Sequence, residues 1–444
     1  MSKCVTRLLC VFVFGCVSAG VVVLKNDGSG LFATAAVDGA AVTDDNLAKC
    51  TREALNKAIN VTCPPYSAIP NDSRDDARAF QTAVDALPPS GGTIIVPAGT
   101  YLFDHPLMIQ KSLDLIGSGP MTILAHTKDL ATNGQTNFIR IGGAANRTQD
   151  VSISDLTIEG PDKSQLRTPM IRIVSNTKGV KIRNLSFRNV SSTCVLIYGD
   201  NIQNIEISGN RADEFYEQFV EFGSGGITDV RVERNVAKST RGHPKLGATQ
   251  PFGVAFEPHT SGEIADVSIV GNSISFDGMS SAELINTGGI SLSTGDPHSF
   301  VYRRIVVKDN AIRAVGVGIR VQTLRSGRVG GPGSVVIAGN RIEGAANYGI
   351  RVGTSSGSEY HDTVSIVDNI VRGYSGQAYY QYDGIRVEGN LIAPEIKGNQ
   401  ILPLTDGGTN AGRYGISIES GVRNAAIKDN KIGGYHVGEI STGK

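Results

Sequence analysis

Two short segments of the chain place a histidine directly after a proline and two residues after a carboxylate. They read Glu-Pro-His at 257–259 and Asp-Pro-His at 296–298. An imidazole titrates near neutral pH and can remove a proton from carbon, and a neighbouring carboxylate can orient the ring. We therefore predict that His259 or His298 is a catalytic base, oriented by Glu257 or Asp296. The alternative is that both histidines are solvated or only stabilise their loops by hydrogen bonds.

Proton removal beside a carboxyl group needs a cation, because negative charge develops on that carboxyl in the transition state. Arg320 and Lys245 are the predicted cations. A uronate sugar has a carboxyl of this kind next to its C5 proton. Elimination of the 4-linked sugar after proton removal would make the protein a lyase, and reprotonation from the opposite face would make it an epimerase.

Charged residues recur at outward positions of a repeated strand. Glu221 and Glu257 lie at an acidic end, and Arg320, Arg351 and Arg386 follow at one position in three successive repeats. Guanidinium groups pair carboxylates in a bidentate way, so arginines at a regular spacing suit a polymer with recurring carboxylates. We predict that Glu221, Arg351, Arg386 and the loop residue Arg325 bind an acidic polysaccharide. The alternative is that these arginines are ordinary outward residues of a soluble strand.

The elements that position these residues are repeats of a Gly-apolar strand and an apolar-x-apolar strand that leads to Asn or Asp. The interval between the two is 14 or 15 residues in the outer repeats and 18 to 21 residues in four consecutive repeats between Val254 and Asn369. Stacked strands lie about 4.8 Å apart, so these longer loops should adjoin one another and wall a groove.

The second strand ends at a recurring Asn or Asp, a residue type that tolerates a left-handed bend. The spacing between successive markers is 25 to 38 residues, which is typical of stacked repeats. These observations predict an all-β fold, a single right-handed parallel β-helix over 71–440 with a Val and Ile interior. The markers are Asp155, Asn184, Asn210, Asn235, Asn272, Asn310, Asn340, Asn369, Asn399 and Asn430.

The N-terminal segment 1–20 has the order of an export signal, with Lys3 and Arg7 before an apolar run and small residues at 18–20. We expect a secreted or periplasmic protein without stable membrane insertion; a lipoprotein anchor is the less favoured alternative. In an oxidising compartment Cys50 and Cys63 can pair, whereas Cys194 should be a buried thiol.

Segment 21–70 is predicted to be an N-terminal extension with a helix over 44–59. A second, short helix follows, with Asp72 or Ser73 as its cap. Laid across the first repeat, this helix would cover the open end of the apolar core and its unpaired backbone. Its apolar face consists of Ala77, Phe80, Val84 and Leu87.

The segments Asp-Asp-x-x-x-Phe-Gln-x-Ala and Gly-Gly-Thr-Ile-Ile-Val-Pro-Ala-Gly-Thr-Tyr, at 75–83 and 91–101, resemble the entry of pectate-lyase-like β-helix proteins. That superfamily includes polysaccharide lyases, polygalacturonase-type hydrolases, uronan C5-epimerases and phage tailspikes. The Pro-His steps resemble the Asp-Pro-His element of mannuronan C5-epimerases, with Glu257 in place of Asp in the first. The resemblance implies the fold for about 71–440 and an activity on polysaccharides.

Two other function classes remain open. A glycoside hydrolase needs two carboxylates, which Glu217, Glu221, Glu257 and Asp296 could provide, although the polygalacturonase motifs are missing. A non-catalytic adhesin or tailspike-like protein would also suit the fold. The balance of 42 basic and 42 acidic residues argues against nucleic acid as a partner. We expect no cofactor, with calcium possible because lyases of this superfamily can use it.

Overall fold

The structure is a computed structural model. It describes residues 25–26, 31–32, 50, 58–126, 137–143, 147–161, 168–240, 251–293, 300–323, 334–354, 363–375, 381–403 and 412–443. The chain divides into two compact units, Met1–Asn56 and Lys57–Lys444. In the first unit, strand β1 (Lys25–Asn26) pairs antiparallel with strand β2 (Leu31–Phe32). The second unit contains three long parallel sheets.

Sheet 1 has 13 strands, and each pairs in parallel with the next strand along the sheet. Its strands are β3 (Ala58–Asn60), β4 (Thr93–Val96), β7 (Leu113–Gly117), β10 (Thr148–Ser154), β13 (Thr177–Arg183), β16 (Ile202–Ser208), β19 (Ile227–Glu233), β22 (Gly262–Val270), β25 (Phe300–Lys308), β28 (Ser334–Ala338), β31 (Thr363–Val367), β34 (Glu395–Lys397) and β37 (Ala426–Lys428).

Sheet 2 has 12 shorter strands. They are β5 (Gly99–Phe103), β8 (Thr122–His126), β11 (Thr157–Glu159), β14 (Ser186–Val190), β17 (Arg211–Phe215), β20 (Val236–Lys238), β23 (Ser273–Ser275), β26 (Ala311–Arg313), β29 (Arg341–Glu343), β32 (Ile370–Arg372), β35 (Gln400–Leu402) and β38 (Lys431–Ile432).

Sheet 3 also has 12 strands and contains the Gly-apolar repeats. They are β6 (Leu107–Ile109), β9 (Ile139–Ile141), β12 (Ile171–Val174), β15 (Val195–Tyr198), β18 (Gln218–Phe222), β21 (Phe252–Phe256), β24 (Gly288–Ser293), β27 (Val317–Thr323), β30 (Ile350–Thr354), β33 (Ile385–Glu388), β36 (Tyr414–Ile418) and β39 (Gly438–Thr442). The described helices are α1 (Ala77–Ala86) and α2 (Ser281–Leu284).

Each turn of the coil, called a rung here, contributes one strand to each sheet, which confirms the predicted parallel β-helix. Alternation along the sheet 3 strands turns every second side chain inward, so that Ile290, Ile319 and Ile350 are all fully buried in register. Burial of one such side chain contributes roughly 1.5–3 kcal/mol. The preceding glycines allow this close stacking, because a Cβ on Gly318 would lie 2.4 Å from the carbonyl oxygen of Gly349.

The predicted role of the marker asparagines is right at the start of the ladder and wrong beyond it. Asp155 and Asn184 have positive φ, but from Asn210 onward the residue with positive φ is the one before the asparagine, for example Gly271 before Asn272. The asparagine side chains instead point inward and join neighbouring rungs. Asn272 Nδ2 donates to Asn310 Oδ1 at 2.9 Å and to Val232 O at 2.8 Å. The amide ladder satisfies polar groups at a buried corner.

Helix α1 covers the first rungs as predicted, with Phe80 packed edge-on against Tyr101 and Phe103. Gln81 also reaches the outer edge of β6, where its Nε2 donates to Met108 O and its Oε1 accepts from Met108 N. The helix therefore satisfies part of the unpaired strand edge.

The predicted cap residues of this helix, Asp72 and Ser73, are wrong. The N-cap is Asp76, whose side chain does not cap the helix. Its carboxylate instead accepts hydrogen bonds from the backbone N–H groups of Ile69 and Leu102. Burial raises the pKa of Asp76 to about 6.

The predicted helix over 44–59 is wrong at its C-terminal end, since Ala58–Asn60 is strand β3. Its pairing with β4 extends sheet 1 and overrides the local helix pattern. The parallel ladder thus begins at Ala58, inside the segment predicted to be an extension. Cys50 and Cys63 are both disulfide-bonded, and Cys194 is a buried free thiol. The predicted export signal at 1–20 lies outside the described residues.

Candidate functional site

One column of outward side chains runs along sheet 3 and contains four of the ten predicted site residues, Glu221, Arg320, Arg351 and Arg386. The parallel register fixes the order of this outward column. It reads Met108, Arg140, Arg172, Leu196, Glu221, Ala255, Ser291, Arg320, Arg351, Arg386, Ser417 and Ser441.

Sequence reasoning missed the first two arginines of this column, Arg140 and Arg172. Both lie in Ile-Arg-Ile triplets, at 139–141 and 171–173, with the same alternation as the later strands. These triplets lack the preceding glycine by which the repeat was recognised. The alternation alone could have found them.

Glu221 is the carboxyl residue of this column, and its pKa is raised. Burial, and after it the negative charge of Glu257, raises the pKa of Glu221 to about 7. Thr193 Oγ1 lies 3.0 Å from Glu221 Oε2 and 2.8 Å from Gln218 Oε1. A hydroxyl has one hydrogen and can donate to only one of them. A hydrogen bond donated by Thr193 to Glu221 lowers the pKa of Glu221, but burial has the larger and opposite effect.

Glu257 lies on the next rung, directly after β21. Its N–H donates to Phe222 O at 2.9 Å. This hydrogen bond places Glu257 beside Gly223, which directly follows β18 and lies two positions past Glu221. Glu257 is half-buried. Two carboxyl groups on adjacent rungs therefore face the same side of the coil, and their interaction favours one proton on the pair.

Gly223 leaves space between the two carboxylate rungs and an aromatic side chain. A Cβ on Gly223 would lie 2.8 Å from Cδ2 of Tyr198 and 3.6 Å from Oε1 of Glu221. The rings of Tyr198 and His259 have centroids 6.5 Å apart, and the N–H of His259 donates to Gly223 O at 3.0 Å. Exposed His259 is thus brought to the same surface as Glu221 and Glu257.

Arg320 leans back along the column toward these acids. Its Nε donates to Ser291 Oγ at 3.0 Å, and its guanidinium carbon lies 5.4 Å from the ring centre of Phe252 on β21. Burial lowers the pKa of Arg320, the charge of Glu257 raises it and the charge of Arg351 lowers it. Within the described part of the chain Arg320 has no ion-pair partner. It is a half-buried cation close to Glu257.

The next two arginines of the column contact carboxylates of the protein itself. Arg351 Nε donates to Glu388 Oε1 at 2.8 Å, and Arg386 Nε donates to Glu388 Oε2 at 2.5 Å. Arg386 also pairs with Glu419 and Asp383. These intramolecular pairs distinguish Arg351 and Arg386 from Arg320.

Four predicted site residues, His298, Asp296, Lys245 and Arg325, lie outside the described residues. In three consecutive rungs, the longer segment runs from the end of the sheet 3 strand to the start of the next sheet 1 strand. These segments leave sheet 3 at Ser293, Thr323 and Thr354 and enter sheet 1 at Phe300, Ser334 and Thr363.

Over the described ranges, no group of three or more His, Cys, Asp and Glu side chains is placed to hold a metal ion. No described helix is both long and apolar enough to span a bilayer.

Comparison with known proteins supports the same architecture. The family model described as "Rhamnogalacturonase A/epimerase, pectate lyase-like" matches residues 58–215. No curated protein matches the chain in sequence.

Three solved structures illustrate the fold. The mannuronan C-5 epimerase AlgE4 A-module of Azotobacter vinelandii has a TM-score of 0.57 at 18% identity, covering 86% of this chain and 97% of its own. The surface adhesin PfbA of Streptococcus pneumoniae has a TM-score of 0.64 at 17% identity, covering 87% and 100%. The catalytic unit of a GH87 alpha-1,3-glucanase of Streptomyces thermodiastaticus has a TM-score of 0.57 at 16% identity, covering 86% and 69%. The chain is a right-handed parallel β-helix protein, and its residues 58–215 match a pectate-lyase-like family model.

Proposed function

We propose that the protein is an exported enzyme that acts on an acidic polysaccharide by removing the C5 proton of a uronate residue, as a lyase or a C5-epimerase. The observation that carries the proposal is the pKa of Glu221, raised to about 7 by burial and by the charge of Glu257. Near neutral pH Glu221 can therefore hold a proton and act as a proton donor, with Glu257 on the adjacent rung. A perturbed pKa of this kind is typical of catalytic groups.

The described residues supply each function that the reaction needs. Arg320, half-buried and without a carboxylate partner among the described residues, binds the uronate carboxylate and stabilises the charge that develops there. His259 accepts the C5 proton. Tyr198 and Phe252 provide ring surface beside these groups, which suits a sugar ring.

Glu221 supplies the second proton transfer. In a lyase, the electrons of the C5–H bond are first held on the uronate carboxyl as an enediolate. They form the C4=C5 double bond as the C4–O4 bond breaks, and the leaving oxygen takes the proton of Glu221. In an epimerase the C4–O4 bond remains, and a proton returns to C5 from the opposite face. A carboxylic acid kept protonated at neutral pH suits either role.

Glycoside hydrolysis is the second candidate function, favoured by the two carboxyl groups on adjacent rungs. Protonated Glu221 would donate to the glycosidic oxygen, and ionised Glu257 would act as base or nucleophile. This mechanism has no need of a cation at a substrate carboxylate. Arg320 therefore favours the first proposal.

Incubation of the pure protein with alginate, polygalacturonate and glycosaminoglycans tests these functions. New ultraviolet absorbance from unsaturated uronates identifies a lyase, and a changed epimer ratio by NMR without chain cleavage identifies an epimerase. New reducing ends without absorbance would support the hydrolase. Binding without any product would overturn the proposal in favour of a non-catalytic carbohydrate-binding protein.

The variants His259→Ala and Glu221→Gln test the assignment of residues. Each should lower the rate at least about a hundredfold, the usual contribution of a positioned acid or base. Full activity in both variants would remove this acid–base assignment, even if the activity itself is found.

A further inference from the structure

Two arginines at the N-terminal end of the outward column each have a buried Nε–H group without a hydrogen-bond acceptor in the described part of the chain. Arg140 on β9 and Arg172 on β12 are direct neighbours in the parallel register. The Nε atom of each is buried and has no hydrogen-bond partner among the described residues. Buried donors are normally paired, so two neighbouring Nε–H groups without an acceptor among the described residues indicate a missing acceptor.

Neighbouring residues hold these two guanidinium groups in place. The guanidinium carbon of Arg172 lies 4.7 Å from the ring centre of Tyr198. A Cβ on Gly143 would lie only 2.8 Å from Arg140 Nη2, so the glycine leaves the space that this guanidinium occupies. Burial, and after it the charge of Arg140, lowers the pKa of Arg172. An anion bound between them would relieve this repulsion.

The C-terminal part of the same column shows the contrast. Arg351 and Arg386 share Glu388, and Arg386 has further carboxylate partners. Arg140 and Arg172 have no ion pair within the described ranges. Among the described residues, the arginines at the C-terminal end of the outward column have carboxylate partners, and those at its N-terminal end do not.

We propose that Arg140 and Arg172 form an anion subsite that binds the carboxylate of a sugar residue on the N-terminal side of Glu221. Arg172 lies two rungs from Glu221, which is about 10 Å along the coil axis. A polymer lying along sheet 3 would thus place a flanking acidic sugar at the two arginines while another sugar lies at the carboxyl pair. The choice of an acidic glycan as ligand rests on the proposed function.

Calorimetric titration of oligogalacturonates and oligomannuronates tests this subsite. The measurements use a Glu221→Gln background, which prevents turnover. We expect Arg140→Gln and Arg172→Gln each to weaken binding roughly tenfold or more, since hydrogen bonds between charged groups are the strong ones. Arg172→Lys, which keeps the charge and loses the planar fork, should retain part of the affinity.

The controls separate the subsite from general electrostatics. Lys181→Gln removes the same charge from an exposed position of sheet 1 and should leave affinity unchanged. Carboxyl-reduced oligosaccharides should bind weakly and respond to none of these changes. Sulfated oligosaccharides show whether the subsite takes sulfate in place of carboxylate.

The outcomes distinguish this inference from the proposed function. One outcome is that the wild type converts an acidic glycan that Arg140→Gln and Arg172→Gln, made in the Glu221→Gln protein, bind as tightly as Glu221→Gln alone. In that case the subsite is wrong and the proposed activity stands. If the variants lose affinity for a glycan that the wild type binds without converting, the subsite stands and the catalytic proposal fails. No binding of any acidic probe would overturn both.

Discussion

Glu221 and Glu257 lie on adjacent rungs of one sheet, and the charge of Glu257 adds to burial in raising the pKa of Glu221 to about 7. Their proximity results from the register of β18 with β21, which sets Glu221 opposite Ala255 and brings Glu257 beside Gly223. Several consequences of this arrangement can be measured.

The pH dependence of activity should follow Glu221. Because its protonated form is the proton donor, activity should fall as pH rises above about 7. In Glu221→Gln the residual activity should lose this limb of the profile. The matched control is Glu395→Gln, an exposed glutamate of sheet 1, which should keep both the rate and the profile. An unchanged limb in Glu221→Gln would assign the ionisation to another group.

The stability of the protein should also depend on this carboxyl. A carboxyl with a higher pKa in the folded state binds its proton more tightly when folded. Its contribution is therefore complete below about pH 4.5 and is lost as pH rises through about 7. Relative to Glu221→Gln, the wild type should lose up to about 3 kcal/mol of unfolding free energy across this window. Denaturant titrations at several pH values test this, and parallel curves for the two proteins would contradict it.

Arg320 should determine recognition of the substrate carboxylate. Arg320→Gln is expected to raise KM for acidic polymers roughly tenfold or more, and Arg320→Lys should restore part of the loss. Arg341→Gln removes an equal charge from an exposed position of sheet 2 and serves as the control. A KM that changes equally in both variants would point to overall charge rather than to a specific contact.

Gly223 should matter for function because of the space it leaves. Gly223→Ala brings a methyl group 2.8 Å from the Tyr198 ring and forces that ring to move. We expect a lower kcat/KM with a native-like melting temperature. Gly433→Ala, where the nearest atom is 3.9 Å away, should be silent in both measurements. Equal kcat/KM in wild type and Gly223→Ala would show that the position of Tyr198 is unimportant.

The amide ladder should contribute strongly to stability. Asn310→Ala leaves the N–H and Nδ2 groups of Asn272 without their acceptor inside a buried corner. The expected loss is about 2–4 kcal/mol in a denaturant titration. Asn430→Ala, at a half-buried end of the ladder, should cost clearly less. Equal losses at both positions would mean that burial does not set the strength of these bonds.

The sequence predicts the coil and much of the site because both depend on local periodicity. Alternation places Ile319 inside and Arg320 outside without any knowledge of distant contacts. The direction in which a long side chain leans is a different matter. That Arg320 turns toward Phe252 while Arg351 turns toward Glu388 depends on neighbours 37 residues or more away in the chain.

The asparagine ladder shows a second limit of sequence reasoning. Asn and Gly both suit a left-handed bend, so the sequence pair Gly-Asn does not reveal which residue bends and which points inward. The structure assigns the bend to Gly271 and the inward amide to Asn272. The amide of Asn272 points inward because it donates to the buried carbonyl of Val232. That carbonyl comes within reach only when the rungs are stacked.

The ladder also bears on how such a protein can change over generations. Each amide contacts only the rungs beside it, so Asn340 needs Asn310 and Asn369 but no more distant member of the series. Duplication or loss of one complete repeat would restore the same contacts at the new junction. Gene segments encoding single turns are therefore natural units for lengthening or shortening the surface along which a polymer can lie.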